Sequence, residues 1–282
     1  MWIEVKNLSC SYGSGTASAQ EALKDVSFKI EDGEFVGIMG RTGCGKSTLI
    51  QLIAGLLTPD RGQVLIDGED INAPGYDRLA LRGKVGIVFQ YPEYQLFETT
   101  VEKDVAFVLK HSGLGKDERE RRVKEALEAM GFSWEAVRKK SPLSLSGGEK
   151  RRVAIAGVLA AQPRILIFDE PIAGLDPFGR TAFLELSAKL NRQGTTILMV
   201  SHNADALCEY AGRILMLDQG RLTGDGTPET LFGGPEAIAG AGQVCGIARR
   251  LYERGILPSP AVTKYQTLVE EIRRYVKEGE RL

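Results

Sequence analysis

Apolar and polar positions along the 282-residue chain change their period twice. In the opening third, short apolar runs at 3–5, 26–30, 35–39, 64–66 and 85–89 are separated by Gly13-Ser14-Gly15, Asp32-Gly33 and Asp67-Gly68. That pattern predicts short strands with hairpin-like turns. From about 99 to 140 the spacing turns helical, with Val101, Val105, Val108 and Leu109 on one stripe, followed by a charged helix over 117–130. Two nearly all-apolar strands at 165–168 and 196–200 then flank a helical segment at 181–191. Strands without alternation are buried on both faces, so this is a β-α-β unit of a parallel sheet. A further strand pair, 214–217 and 221–223, turns through Asp218-Gln219-Gly220. After Phe232-Gly233-Gly234-Pro235 the composition shifts to Ala and Gly and then to an amphipathic helix over 264–277. Residues from about 235 to 282 read as a separate C-terminal element.

A hydrophobic content of 43% suits a packed core, and the length suits one large α/β domain with a small appendage. With 36 basic against 37 acidic residues, nothing in the charge balance favours a nucleic-acid partner. The charge run 116–122 reads as a solvated helical face with opposite charges three or four apart. Cys10, Cys44, Cys208 and Cys245 lie far apart with no C-x-x-C pair, which argues against a zinc site or a stapled secreted fold. A reducing cytosol is the expected setting. No signal-peptide pattern opens the chain and no run approaches the ~18 apolar residues that span a bilayer, so any membrane attachment is expected to come from a partner.

Chemistry enters at Gly40-Arg41-Thr42-Gly43-Cys44-Gly45-Lys46-Ser47-Thr48, set between the run 35–39 and the apolar residues Leu49, Ile50, Leu52 and Ile53. A strand ending in G-x-x-x-x-G-K-S and entering a helix is a phosphate-binding loop. Its glycines let backbone N–H groups turn inward around a β-phosphate, Lys46 neutralises the β- and γ-phosphates, and Ser47 is a magnesium ligand. The helix N-terminus adds partial positive charge. The run Ile165-Leu166-Ile167-Phe168 delivers Asp169 and Glu170 at a strand's carboxyl end, where open parallel sheets hold ligands. Asp169 is placed to hold Mg²⁺ and Glu170 to take a proton from an attacking water.

Leu145-Ser146-Gly147-Gly148-Glu149, opening a helix expected over 150–161, is by itself an N-cap followed by small residues. Between a phosphate loop and an acidic strand end it resembles the signature of ABC ATPases. The other motifs of that family then fall in order. Tyr12 matches the aromatic that stacks on adenine, Gln90 the Q-loop glutamine that senses magnesium and phosphate, Ala173-Gly174-Leu175-Asp176 the D-loop, and His202 the switch histidine. Taken alone, Tyr12 reads as packing, Gln90 as an ordinary polar residue and His202 as a turn residue; His111 matches nothing and is expected to be exposed.

The resemblance covers residues 1 to about 230. It implies an ABC ATPase domain over 1–234 of the P-loop NTPase type, an α/β fold with an antiparallel β subdomain, a helical subdomain inserted at about 91–162 and a short helical C-terminal element at 235–282 that joins two ATPases. It also implies that two cassettes close head to tail, with ATP and Mg²⁺ on one loop capped by Ser146, Gly147 and Gly148 of the other subunit. Asp176 belongs to the same shared site. Two departures stand out: Ile172 occupies the position of a common threonine, read as a packing change, and Cys44 lies in the loop, where a thiol beside a helix N-terminus is expected to react with alkylating agents unless ATP protects it.

The stretches Tyr91-Pro92-Glu93-Tyr94-Gln95-Leu96-Phe97 and 150–160 resemble the ATPase subunits of energy-coupling factor importers for vitamins and cobalt or nickel ions, in the manner of the second member of an unlike pair. That resemblance implies a paralogous ATPase partner, a peripheral position on the cytoplasmic face of the cell membrane, and an integral scaffold received beside Gln90 with Tyr94, Leu96 and Phe97 on the rim. A substrate-binding membrane subunit would be engaged indirectly. The plainer reading of those three side chains is packing within the domain. Rival readings are the ATPase of another ABC importer, a soluble ABC ATPase acting on DNA or ribosomes, and a small-molecule kinase with the same loop. The second of these expects a coiled-coil insertion or a basic face, and the third leaves Ser146 unexplained.

Overall fold

The computed structural model describes residues 2–13, 20–233 and 242–279. The chain opens with β1 (Ile3–Tyr12), β2 (Gln20–Ile30), β3 (Phe35–Gly40), α1 (Lys46–Ile53), β4 (Arg61–Ile66) and β5 (Glu69–Asp70). It continues through α2 (Arg78–Lys84), β6 (Val85–Val88), α3 (Val101–Ala106), α4 (Lys116–Ala129), α5 (Trp134–Val137) and α6 (Gly147–Leu159). Then come β7 (Ile165–Asp169), α7 (Pro177–Arg192), β8 (Thr196–Val200), α8 (Ala204–Tyr210), β9 (Arg213–Asp218) and β10 (Arg221–Gly226). Three helices close the described chain: α9 (Pro228–Phe232), α10 (Gln243–Glu253) and α11 (Tyr265–Gly279).

Two sheets result. One is antiparallel, in the order β2-β1-β4-β5; the other runs β10-β9-β3-β8-β7-β6, with five parallel strands and β10 antiparallel at one edge. In β7 and β8 every residue between the first and the last is apolar because both faces are covered, and the polar Thr196 and Asp169 fall at strand ends. Leu166 and Phe168 of β7 face a core shared with α3, α4 and α6, whereas Ile165 and Ile167 face the opposite core, built with α1 and the antiparallel sheet. Sandwiching the sheet this way leaves its carboxyl edge as the place for polar chemistry.

The elements match the hydrophobic pattern where it is regular and outrun it where it is broken. β1 extends well past Val5, because Asn7 takes a left-handed φ of 46° and the pairing with β2 shifts register between Val5 and Leu8. That bulge puts Lys6 and Asn7 side by side on the surface and hides the alternation. Helix α2 was not expected: it buries only Leu81, and its start is fixed by Asp77, which accepts from the N–H groups of Leu79 and Ala80. In α4 the charged residues do pair along the surface, Arg121 with Glu118 and Glu125, and Arg122 with Glu118. His111 is exposed.

Beyond β10, α10 was likewise unexpected, and the amphipathic helix α11 follows the pattern at 264–277. Val244, Ala248, Leu257, Val262 and Leu268 form a small core of their own. Polar contacts tie it to the body: Asp205 accepts from the N–H groups of Gln243 at 2.9 Å and Val244 at 3.0 Å, and Thr263 donates to Glu229 at 2.7 Å. Ser14 and Gly15 of the first turn, and residues 234–241 at the expected boundary, lie outside the described residues. Among the described residues no helix is long and apolar enough to cross a membrane.

Candidate functional site

The loop after β3 is shaped by what surrounds it. Gly40 has φ 149°, and a Cβ there would sit 2.1 Å from the Leu217 carbonyl oxygen; at Gly45, with φ 102°, it would sit 2.4 Å from that of Ala22. Only glycine fits either position. Helix α1 then starts with no side-chain cap and no acidic residue in its first turn, so its N-terminal N–H groups face the cavity. Lys46 is buried, its ammonium donating to the carbonyls of Gly40 at 2.8 Å and Arg41 at 3.0 Å. The Tyr12 ring stands over the same helix, its hydroxyl 3.1 Å from Thr48 Oγ1.

Parallel pairing of β7 with β8 brings the two carboxylates to this loop. Asp169 is buried beside the Ser47 hydroxyl; burial raises its pKa above the ordinary value, while Ser47, Lys46 and His202 pull the other way. Glu170 ends the strand with a left-handed φ of 49° and its amide donating to the Val200 carbonyl. Its Oε2 accepts from the His202 amide at 3.3 Å. Its Oε1 lies 3.2 Å from His202 Nε2, at ion-pair range, yet that oxygen is buried and accepts no aligned hydrogen bond. Burial, the largest influence, raises the Glu170 pKa and so makes the carboxylate a better base; His202 opposes this.

Tyr12, Thr42, Gly43, Gly45, Lys46, Ser47, Thr48, Gln90, Asp169, Glu170 and His202 all line one cavity of about 1010 Å³. Gly40, Arg41 and Cys44 belong to the loop but do not line that cavity. Ser146, Gly148 and Asp176 line a different cleft, of about 560 Å³, between α6 and α7, and Gly147 is exposed beside them. There Ser146 caps α6: its hydroxyl accepts from the Glu149 amide while its own amide donates to Glu149 Oε2 at 2.8 Å. Asp176 caps α7 by accepting from the Gly179 amide at 2.7 Å. One chain therefore does not bring its signature segment to its own phosphate loop.

The expectation that Cys44 is an accessible thiol is corrected. It is 4% exposed and its sulfur points back under Gly40 into the core, so an alkylating agent has no approach to it. Ile172 packs in the core beside α6, as a packing change requires. Tyr94 and Phe97 are 85% and 64% exposed, Phe97 meeting Phe107 edge to face at 4.9 Å, and Leu96 is partly buried, so the two aromatics are mostly at the surface and not in the core. The cavity is also lined by Gln20, Ala22, Arg180, Asn203, Asp205 and Gln243, none of which the sequence singled out. Arg180 carries a signal in retrospect, lying one turn past the helix-capping Asp176; Gln243 arrives from the C-terminal element by tertiary contact alone.

A family model described as "ABC transporter" matches residues 23–173. The chain is 45% identical over 282 residues to the energy-coupling factor transporter ATP-binding protein EcfA2 of Caldanaerobacter subterraneus subsp. tengcongensis, covering 98% of each chain. It is 49% identical to the EcfA2 of Symbiobacterium thermophilum, covering 93% of this chain and 92% of that one. Among solved structures it resembles cbiO1 of Clostridium perfringens, described as part of the ABC transporter complex cbiONQ, with a TM-score of 0.73, 36% identity, and coverage of 89% and 94%. It also resembles the dimeric ATP-binding cassette MJ0796 bound to ADP and Pi, with a TM-score of 0.72, 33% identity, and coverage of 80% and 98%. The chain belongs to the ABC transporter ATPases, in the energy-coupling factor group, and its activity is ATP hydrolysis coupled to transport.

Proposed function

We propose that this ATPase drives uptake of a micronutrient, a vitamin or a cobalt or nickel ion, as one of two unlike ATPases under a membrane scaffold. Glu170 carries the reading. A buried carboxylate oxygen without a hydrogen bond, beside a histidine and facing the phosphate loop, is what a general base for water attack requires. Lys46 and the N–H groups at the start of α1 bind the β- and γ-phosphates. Tyr12, held by Thr48, stacks on adenine. His202 orients Glu170 and contacts the γ-phosphate, and Gln90 links the site to the scaffold.

Ser47 Oγ, the Asp169 carboxylate and the Gln90 side chain form a hard oxygen donor set in the cavity, which fits Mg²⁺. When bound, Mg²⁺ neutralises charge developing on the phosphates. Ser146, Gly148 and Asp176 line a cleft separate from the chain's own phosphate-loop cavity, with the exposed Gly147 beside them, which supports their serving the nucleotide of the second ATPase in a dimer with ATP at the joint. Residues from about 235 onwards reinforce that joint. The exposed Tyr94 and Phe97, with Leu96 between them, form the rim that receives the scaffold. Purification from membranes tests the assembly. A small integral protein and a second, unlike ATPase are expected to come with this chain; ribosomes, DNA or no partner would count against it.

A further inference from the structure

Arg151 sits on the second turn of α6, the helix that Ser146 caps; it contributes to the wall of the signature cleft, yet it is only 5% exposed. A buried guanidinium needs acceptors, and it finds them in main chain only. Nη1 donates to the Ala173 carbonyl at 2.8 Å, and Nη2 donates to the carbonyl of Pro171 with a longer contact, 3.5 Å, to that of Glu170. These are the residues that carry Glu170 into its left-handed conformation and on towards Asp176. Glu93 and Tyr91, shortly after Gln90 in the chain, lie within electrostatic reach of Arg151. Arg151 Nε and Glu93 Oε2 are both buried without a hydrogen bond.

From this geometry we infer that Arg151 is a positioning residue for hydrolysis: its guanidinium holds the 170–173 main chain so that the Glu170 carboxylate stays aimed at the phosphate loop. The inference rests on Glu170 being the general base. A left-handed glutamate is a strained conformation that surrounding contacts must enforce. Two parallel donors on a planar fork can enforce it, because they fix direction as well as distance, whereas a lysine supplies one point charge. The same side chain also joins two half-sites. It is rooted in the helix whose N-terminus is proposed to serve the partner's nucleotide and is bonded to the loop that serves its own.

The test is a double-mutant cycle in the full chain co-purified with its partner subunits: R151Q, E170Q and the pair, with R151K as the conservative variant. Steady-state ATPase rate, KM for ATP, single-turnover rate and melting temperature are read for each. R151Q is expected to lower kcat by about 10–100-fold with KM changed by less than about 3-fold, as a misplaced catalytic group does. R151K should fall between it and the wild type. In the E170Q background, R151Q should change the residual rate by less than about 2-fold, because the group it positions is already gone. Equal fractional losses in both backgrounds, or a KM change with kcat intact, would overturn the inference. If R151Q does not fold, the same cycle is read with R151K. Near-normal turnover by E170Q alone would instead remove the general base, and the positioning role with it.

Discussion

The helices α1 and α6 both begin at glycine-rich turns, and only one of them presents an open anion site within its own chain. At α1 the N-terminus has no side-chain cap, no acidic residue and a buried lysine. At α6 the first turn is closed by a capping box, and Glu149, whose pKa is lowered first by the Ser146 amide and then by its hydroxyl, adds negative charge where an anion would bind. A phosphate can join α1 without displacing anything from the protein. At α6 it needs a second protein surface to bring it. The sign of the charge in the first turn separates a helix end open to an anion from one that carries its own negative charge, in keeping with the proposal that a second subunit completes the latter.

The sharpest way to break that contrast is at the base. E170Q should lose about 10²–10⁴-fold in turnover while still binding ATP, read as ATPase rate beside nucleotide affinity; normal turnover would mean that the α1 site lacks the chemistry assigned to it. Lys46→Ala should weaken ATP binding by the isolated chain by at least about 10²-fold, since a buried cation is removed from the phosphates. Ser146→Ala probes the other helix. It should leave the isolated chain's ATP affinity within about 2-fold, lower turnover of the assembled dimer by about 10-fold, and lower stability by about 1 kcal/mol through the lost cap. An equal effect on isolated-chain affinity would erase the distinction between the helices.

The smallest effect is one of pH. Burial raises the pKa of Asp169 and Glu170, so the folded protein holds these protons more tightly than the unfolded chain. Stability contributed by the protonated forms is present below the unfolded carboxylate pKa and is lost as pH rises through the folded one. E170Q, which cannot ionise, should therefore melt about 2 °C above wild type at pH 8, with the gain vanishing towards pH 4. A gain that grew on acidification would contradict the burial argument.

The active cavity was legible to the extent that its residues sit in contiguous motifs. Lys46, Asp169, Glu170 and His202 follow uniform apolar strands whose carboxyl ends the hydrophobic pattern marks. Arg180, Asp205 and Gln243 join the same cavity through tertiary packing and have no local signature. The fold was legible where periodicity was clean. It was not at β1, where the Asn7 bulge exposes two residues in a row, nor at α2, which buries one residue and is held by the Asp77 cap. Cys44 shows the limit of motif reasoning in another way: its place in the loop was clear, but the direction of its side chain was set by Gly40 and the core beneath.

The close approaches at Gly40 and Gly45 are made by main-chain carbonyl groups of β9 and β2. Selection for the architecture alone is then enough to keep both positions unsubstituted. A descendant that had abandoned catalysis would retain this pair while its lysine and acidic residues drifted, so the glycines record ancestry and the ionisable groups record employment.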